Sequence, residues 1–167
     1  MKSALHSVRR RIAGPAVRHP LAMLPAPRPG NPTTAACCTL PAETRAVARA
    51  RAFALERLAA WRLADDTAEA ASLIVSEFVT NSVTHSGARD VTLRLARCCV
   101  SHLWIEVVDT GVWRIRAESK ANDLAEGGRG LALVAAMSEA FAVLHTRDGT
   151  RAWALLTAPT ACPNAPP

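Results

Sequence analysis

The sequence predicts an α+β fold, a two-layer sandwich in which helices cover one face of a mixed, mostly antiparallel sheet. Two observations predict this class. Apolar residues recur at three- and four-residue steps up to about position 85, and at every second residue from Val91 onward. The predicted order is helix, helix, strand, strand, loop, helix, strand, strand. Such an order is typical of a sheet with helices packed on one side.

The first two elements are predicted as helices from their apolar faces. Pro41 suits the first turn of the first helix, and Asp65 or Asp66 can cap the second. The second helix is expected to stop near Gly87. The apolar face of the first helix holds Val47, Ala50, Ala54, Leu58 and Trp61. The buried face of the second holds Ala71, Val75, Phe78 and Ser82.

The next elements are predicted as strands. Val91, Leu93 and Leu95 alternate with polar residues, and a second apolar run follows at 103–108, so these segments are expected to pair as antiparallel neighbours. Residues 112–127 show no periodicity and are expected to form a long mobile loop. A third helix is predicted from Leu131, Val134, Ala135 and Ser138. Segments 140–145 and 151–157 are predicted as a closing hairpin around Asp148-Gly149.

The charge is concentrated at one end of the chain. Residues 1–30 hold six basic and no acidic side chains, which accounts for the whole net charge of +6 among the 167 residues. We therefore expect a basic, proline-rich arm at 1–36, one folded domain at 38–157 and a flexible tail at 158–167. Because residues 31–167 hold as many acidic as basic side chains, direct binding of nucleic acid is not expected of the domain.

Cysteines and hydropathy indicate where the protein works. The five cysteines occur as Cys37-Cys38, Cys98-Cys99 and Cys162, with no Cys-x-x-Cys spacing for a metal or a redox pair. Neighbouring cysteines rarely bridge each other, and the odd number argues against a disulfide framework. The longest apolar runs are much shorter than a membrane helix needs. A cytoplasmic protein without a membrane span is expected.

The first candidate motif lies on the second helix. Glu77 and Asn81 are four residues apart and therefore project from nearly the same side. A carboxylate can accept a proton from a hydroxyl, and an amide oxygen can coordinate Mg²⁺. His85 continues this face one turn further on, where it could approach phosphates or could instead be satisfied by helix-end carbonyls. An ordinary exposed polar face explains the same spacing.

The second motif ends the second predicted strand. The Asp109 carboxylate is expected to emerge where the sheet meets a crevice, and it could accept a hydrogen bond from an exocyclic amine such as that of adenine. Gly111 could let a base lie close against the backbone. A simple Asp-x-Gly turn is the alternative.

The third motif opens the third helix. Gly127-Gly128-Arg129-Gly130 precedes an apolar helical pattern, so free backbone N–H groups could receive phosphate oxygens, with Arg129 adding a charge. A flexible linker into a helix is the alternative.

Taken together, the three motifs resemble those of one superfamily. Residues 77–85 resemble the N-box, Asp109-Thr110-Gly111 the G1 box and Gly128-Arg129-Gly130-Leu131 the G2 box of the GHKL ATPases, which include gyrase B, histidine kinases and MutL. Within it the chain most resembles the small anti-sigma serine kinases of the SpoIIAB and RsbW type. The resemblance spans about residues 38–157.

This resemblance implies a Bergerat-type fold that binds ATP and Mg²⁺ under a lid at 112–127. It assigns Asn81 to Mg²⁺, Asp109 to adenine, Gly111 to the adenine wall, and Gly128 and Gly130 to the phosphates, with Glu77 as the catalytic base. Two positions depart from the family pattern. Trp113 replaces a glycine often found after the G1 box, and Thr150 is about one position from a threonine that supports the adenine-binding acid in many relatives.

Two functions follow from the resemblance. The first is a serine/threonine kinase that sequesters a sigma factor and phosphorylates an antagonist of the anti-anti-sigma, STAS-type class. The second is a regulatory module that binds ATP and a partner without transferring phosphate. Glu77 favours the kinase. Relatives often dimerise, so a homodimer is an open possibility for this chain as well.

Overall fold

The computed structural model describes residues 35–98, 101–113 and 129–159. These residues form a two-layer α+β sandwich, which confirms the predicted class. The strands are β1 (Ala35–Pro41), β2 (Asp90–Cys98), β3 (His102–Asp109), β4 (Ala140–Thr146) and β5 (Gly149–Thr157). The helices are α1 (Arg45–Ala60), α2 (Asp65–Asn81) and α3 (Arg129–Met137), and a π-helical turn, Ser82–Ser86, continues α2.

The sheet follows the order β1-β2-β3-β5-β4. Each described pairing is antiparallel, whereas the sequence predicted a mixed, mostly antiparallel sheet. The predicted pairing of β2 with β3 and the closing hairpin of β4 and β5 are both confirmed. Because β3 lies at the centre of the sheet, Asp109 at its end pairs with Val91 of β2 on one side and Thr150 of β5 on the other.

β1 was not predicted from the sequence. Pro41, expected in the first turn of a helix, is instead the last residue of β1, and α1 begins at Arg45. The strand starts at Ala35, inside the stretch that composition assigned to the basic arm. Its inward residues are Ala36, Cys38 and Leu40, and small residues of this kind make the period-two pattern weak. A terminal proline is tolerated because β1 is an edge strand.

The helices pack on one face of the sheet through an aliphatic core, as the sequence predicted. α1 presents alanine at one-turn intervals, at positions 46, 50 and 54, which allows a close approach to α2. α2 buries a larger stripe that ends in Phe78 and Val79. The sheet contributes alternate residues of its strands to the same core, namely Leu93, Leu95, Leu103, Ile105, Val107, Ala152, Ala154 and Leu156.

The opposite face of the sheet carries a second cluster. Trp104 stacks on Trp153 with their ring centroids 4.5 Å apart. Beside them, the fully buried Glu106 lies between two arginines, with its Oε2 3.2 Å from Nη1 of Arg94 and its Oε1 3.4 Å from Nη1 of Arg151. One carboxylate thus joins β2, β3 and β5 across this face.

Replacing Glu106 with alanine should lower the free energy of unfolding by about 2 kcal/mol, because it opens a cavity and removes a buried carboxylate that pairs with two part-exposed arginines. Urea unfolding of both proteins measures the difference. Glu69→Ala, at an exposed position of α2, is the matched control and should change stability by no more than about 0.5 kcal/mol. A loss at Glu106 as small as that of the control would show that the ion pairs contribute little.

The cysteines of β1 are free thiols that alternate across the strand. Cys37 is exposed and Cys38 is half-buried. Burial, together with the neighbouring Cys37, raises the pKa of the Cys38 thiol above its ordinary value. Cys37 is therefore the more accessible of the two. Among the described residues, no helix is long and apolar enough to cross a membrane.

Candidate nucleotide-binding site

The end of α2 and the end of β3 meet through a direct side-chain contact. The Ser82 hydroxyl donates a hydrogen bond of 2.6 Å to Oδ2 of Asp109. Ser82 follows Asn81 in the chain, so the end of α2 that carries the first motif lies beside the acid of the second. The fold therefore brings the first two motifs next to each other.

Asp109 is almost completely buried and accepts hydrogen bonds from three groups. The residue as a whole is only 2% exposed. Its Oδ1 accepts the backbone N–H of Gly111 at 2.8 Å. Its Oδ2 accepts the Ser82 hydroxyl and also Nε1–H of Trp113, each at 2.6 Å. These donors compensate the buried carboxylate and hold it in one orientation.

Thr150 binds the segment that follows β3, residues 111–113. It pairs directly opposite Asp109 in the β3–β5 ladder. Its hydroxyl donates to the Gly111 carbonyl at 2.8 Å and accepts the Trp113 backbone N–H at 3.2 Å. Nδ1 of His145 lies 3.2 Å from the same oxygen. Thr150 therefore supports Asp109 indirectly, by fixing residues 111–113.

Gly111 is required by a close approach to the π-helical turn. A Cβ at this position would collide with the backbone carbonyl group of Ser86. From the sequence, this glycine was expected to let a base lie close against the backbone. The structure provides a different reason, since the missing side chain makes room for protein backbone.

Gly111→Ala should therefore destabilise the fold by about 1–3 kcal/mol, because neither backbone can easily move aside. Thermal unfolding of the two proteins checks this. Gly87→Asn is a suitable control, since Gly87 has φ +70° with no atom within 4 Å of an added Cβ, and asparagine tolerates that left-handed conformation. A Gly111→Ala protein as stable as the control would argue against the close approach.

The first and third motifs also meet. Gly130 lies in the first turn of α3, where a Cβ would collide with Oε2 of Glu77. The half-buried Glu77 carboxylate is thus placed at the beginning of α3, where the helix dipole favours negative charge. Arg129 is the first residue of α3, and Leu131 packs against the main core. Gly128 and most of the predicted loop, residues 114–127, lie outside the described residues.

His85 lies in the π-helical turn that ends α2, and it is half-buried. Gly87 closes this turn in the left-handed conformation, which confirms the predicted end of the helix. π-Helical turns are rare and occur frequently at functional sites. A role for His85 toward phosphates stays a prediction.

An open cavity lies elsewhere among the described residues. It has a volume of about 390 Å³ and is lined in part by Asp66, Met137 and Leu156. Asp66 is fifteen residues from Asn81 along α2, which corresponds to about 22 Å at the rise of an α-helix. This cavity is therefore separate from the three motifs.

Comparison with known proteins identifies the family. The histidine kinase-like ATPase domain matches residues 40–155, which is more than half of the chain. The chain belongs to this family. The GHKL resemblance of the three motifs is confirmed, and membership implies ATP binding. A search of curated proteins finds no match.

The fold of this histidine kinase-like ATPase domain also occurs in a solved structure. The match is to the crystal structure of the RsbU and RsbW domains of Rv1364c from Mycobacterium tuberculosis, with a TM-score of 0.57 and 23% sequence identity. It covers 78% of this chain and 35% of that chain. At this level of identity the likeness concerns the fold alone.

Two contact residues of this ATPase domain were not predicted as site residues. Ser82 was expected on the buried face of α2 and within the N-box, without a role of its own, yet its hydroxyl binds Asp109. Trp113 was expected only as a departure after the G1 box, yet its indole also binds Asp109. A serine directly after the N-box asparagine is a signal that could have indicated the first contact. We know of no local signal for the second.

Proposed function

We propose that this chain is an ATP-dependent regulatory serine/threonine kinase of the anti-sigma type. In this proposal it sequesters a sigma factor and phosphorylates an anti-anti-sigma protein of the STAS type. The observation that carries the proposal is the contact between Glu77 and the first turn of α3. It supports a site in which one carboxylate faces the helix start that would receive phosphate oxygens.

The residues at the phosphate end fit Mg²⁺ and a triphosphate. Asn81 supplies an amide oxygen one turn after Glu77, and oxygen atoms are the ligands that Mg²⁺ prefers. Gly130 leaves the start of α3 without a side chain, and the Glu77 carboxylate lies where that side chain would be, so Glu77 must turn aside for the backbone to receive an anion. Asp109 is an acceptor for an amine at the other end. We assign Asn81 to Mg²⁺, the glycines of the G2 box to the phosphates and Asp109 to adenine.

Glu77 would act as the general base of the transfer. When bound, Mg·ATP supplies the phosphoryl group that is transferred and the cation that neutralises its charge. Glu77 accepts the proton of a partner's serine or threonine hydroxyl as its oxygen forms the new bond to phosphorus. The phosphoryl group then resides on the partner and ADP leaves.

A second function, an ATP-binding module without phosphotransfer, is favoured by one observation. Oδ2 of Asp109, which would accept the amine of adenine, already accepts Nε1–H of Trp113. A domain in which the site is filled by its own side chain could use ATP to change shape rather than to react.

We also propose a cytoplasmic location. Homodimer formation and the absence of direct contact with nucleic acid stay predictions.

Incubation of the full chain with radiolabelled ATP, Mg²⁺ and the proteins that co-purify with it from native extract tests the proposal. We expect label on a serine or threonine of one partner, identified by mass spectrometry. ATP bound by the chain without label on any partner would favour the module. Failure to bind ATP would contradict both functions.

A further inference from the structure

Trp113 occupies a position on Asp109 that the proposed function reserves for adenine. We propose that the Trp113 indole is a built-in competitor of the purine, which must leave Asp109 before ATP can bind there. This inference rests on the proposed function. It concerns a residue at which the chain departs from the family pattern, so the G1 box does not imply it.

The chemistry of the two donors is alike. The indole presents a single N–H at the edge of a flat aromatic ring, and the exocyclic amine of adenine presents an N–H at the edge of another. Oδ2 of Asp109 has two acceptor positions, and the Ser82 hydroxyl and Nε1–H of Trp113 occupy both, each at 2.6 Å. An incoming amine can use this oxygen only if one of these donors leaves.

Burial indicates which donor leaves. Asp109 is 2% exposed and Trp113 is 3% exposed, so a ligand does not reach the carboxylate while the indole is in place. The Gly111 donor is backbone, and Ser82 is fully buried in the π-helical turn. Moving either of these would disrupt a fold element. The indole can be displaced by rotation of its own side chain together with the end of a short segment.

The contacts of Trp113 set how readily it is displaced. Its ring lies against Phe78 of α2, with the centroids 6.3 Å apart and the planes tilted by 50°. Its backbone N–H is bound by Thr150. These contacts stabilise the occupied state relative to the open one. The apparent affinity for ATP is then reduced by the fraction of molecules that are open.

The test compares Trp113→Phe with the wild-type full chain in calorimetric titrations with Mg·ATP. Phenylalanine keeps an aromatic ring beside Phe78 and removes the N–H that binds Asp109. We expect the variant to bind ATP about tenfold more tightly, because loss of the hydrogen bond to Asp109 favours the open state. Trp61→Phe, at the half-buried end of α1, is the matched control and should leave the affinity unchanged.

The outcomes separate this inference from the proposed function. Equal ATP affinity of wild type and Trp113→Phe would overturn the competitor and leave the function standing. Weaker binding by the variant would also overturn it, because the indole would then be part of the pocket wall. Failure of both proteins to bind ATP would overturn both proposals.

A second measurement does not depend on any variant. Acrylamide quenching of tryptophan fluorescence in the wild-type chain should increase when Mg·ATP is added, since an indole that is 3% exposed becomes accessible to the quencher. ADP should act in the same way, because it carries the same base. Quenching that is unchanged at saturating ATP would contradict the displacement of Trp113.

Discussion

Replacing Asn81 with alanine is expected to abolish Mg²⁺-dependent ATP binding. Asn81 is the last residue of α2, directly before the serine that binds Asp109, and it lies one turn after Glu77. In the proposed site its amide oxygen coordinates the metal. Loss of an outer-shell partner already weakens metal sites by roughly 10- to 100-fold, so loss of a ligand should cost at least about 100-fold. Calorimetry with Mg·ATP measures the change.

The control for Asn81→Ala is Thr80→Ala. Thr80 is exposed and is the neighbouring residue of the same helix, so it points about 100° away from Asn81. Alanine is the best helix former, and neither change should disturb α2. Circular dichroism establishes that both variants are folded. Wild-type ATP affinity in a folded Asn81→Ala protein would overturn the assignment of the metal site.

Replacing Glu77 with glutamine is expected to separate binding from transfer. Glutamine has nearly the same shape and can keep the contact with Gly130, but its amide does not accept a proton at neutral pH. ATP binding should therefore be retained, while phosphotransfer to the partner should fall by about 10²- to 10⁴-fold, the usual contribution of a general base. Calorimetry measures the first quantity and radiolabel on the partner the second.

Glu69→Gln provides the matched control for Glu77→Gln. Glu69 is exposed on the same helix, eight residues earlier, and should change neither quantity. A Glu77→Gln protein that transfers phosphate at the wild-type rate would remove the carboxylate from the mechanism. A wild-type chain that binds ATP but labels no partner would instead support the regulatory module.

The local patterns predicted most elements because each reflects burial on one side. α2 was expected to bury Ala71, Val75 and Phe78, and all three are in the core. The alternation in β2 and β3 predicted their antiparallel pairing. β1 was missed because its inward residues are mostly small, so its alternation in hydropathy is faint.

The family could be predicted from the sequence because its three motifs are local. Each consists of a few adjacent residues, and their order along the chain is enough to indicate the superfamily that the comparison confirms. The roles of individual residues in binding ATP stay predictions. What spacing alone could not indicate was how the motifs contact one another.

The sequence by itself determined the fold class and the family, because periodicity and short motifs depend only on residues that are close together in the chain. Only the tertiary structure decided that Oδ2 of the Asp109 carboxylate already accepts two hydrogen bonds. Ser82 lies 27 residues before Asp109, so its contact depends on how α2 packs on the sheet. Trp113 is close in the chain, but its contact depends on how Thr150 of β5 fixes the segment after β3. Such contacts are set by packing and strand register, which no local pattern encodes.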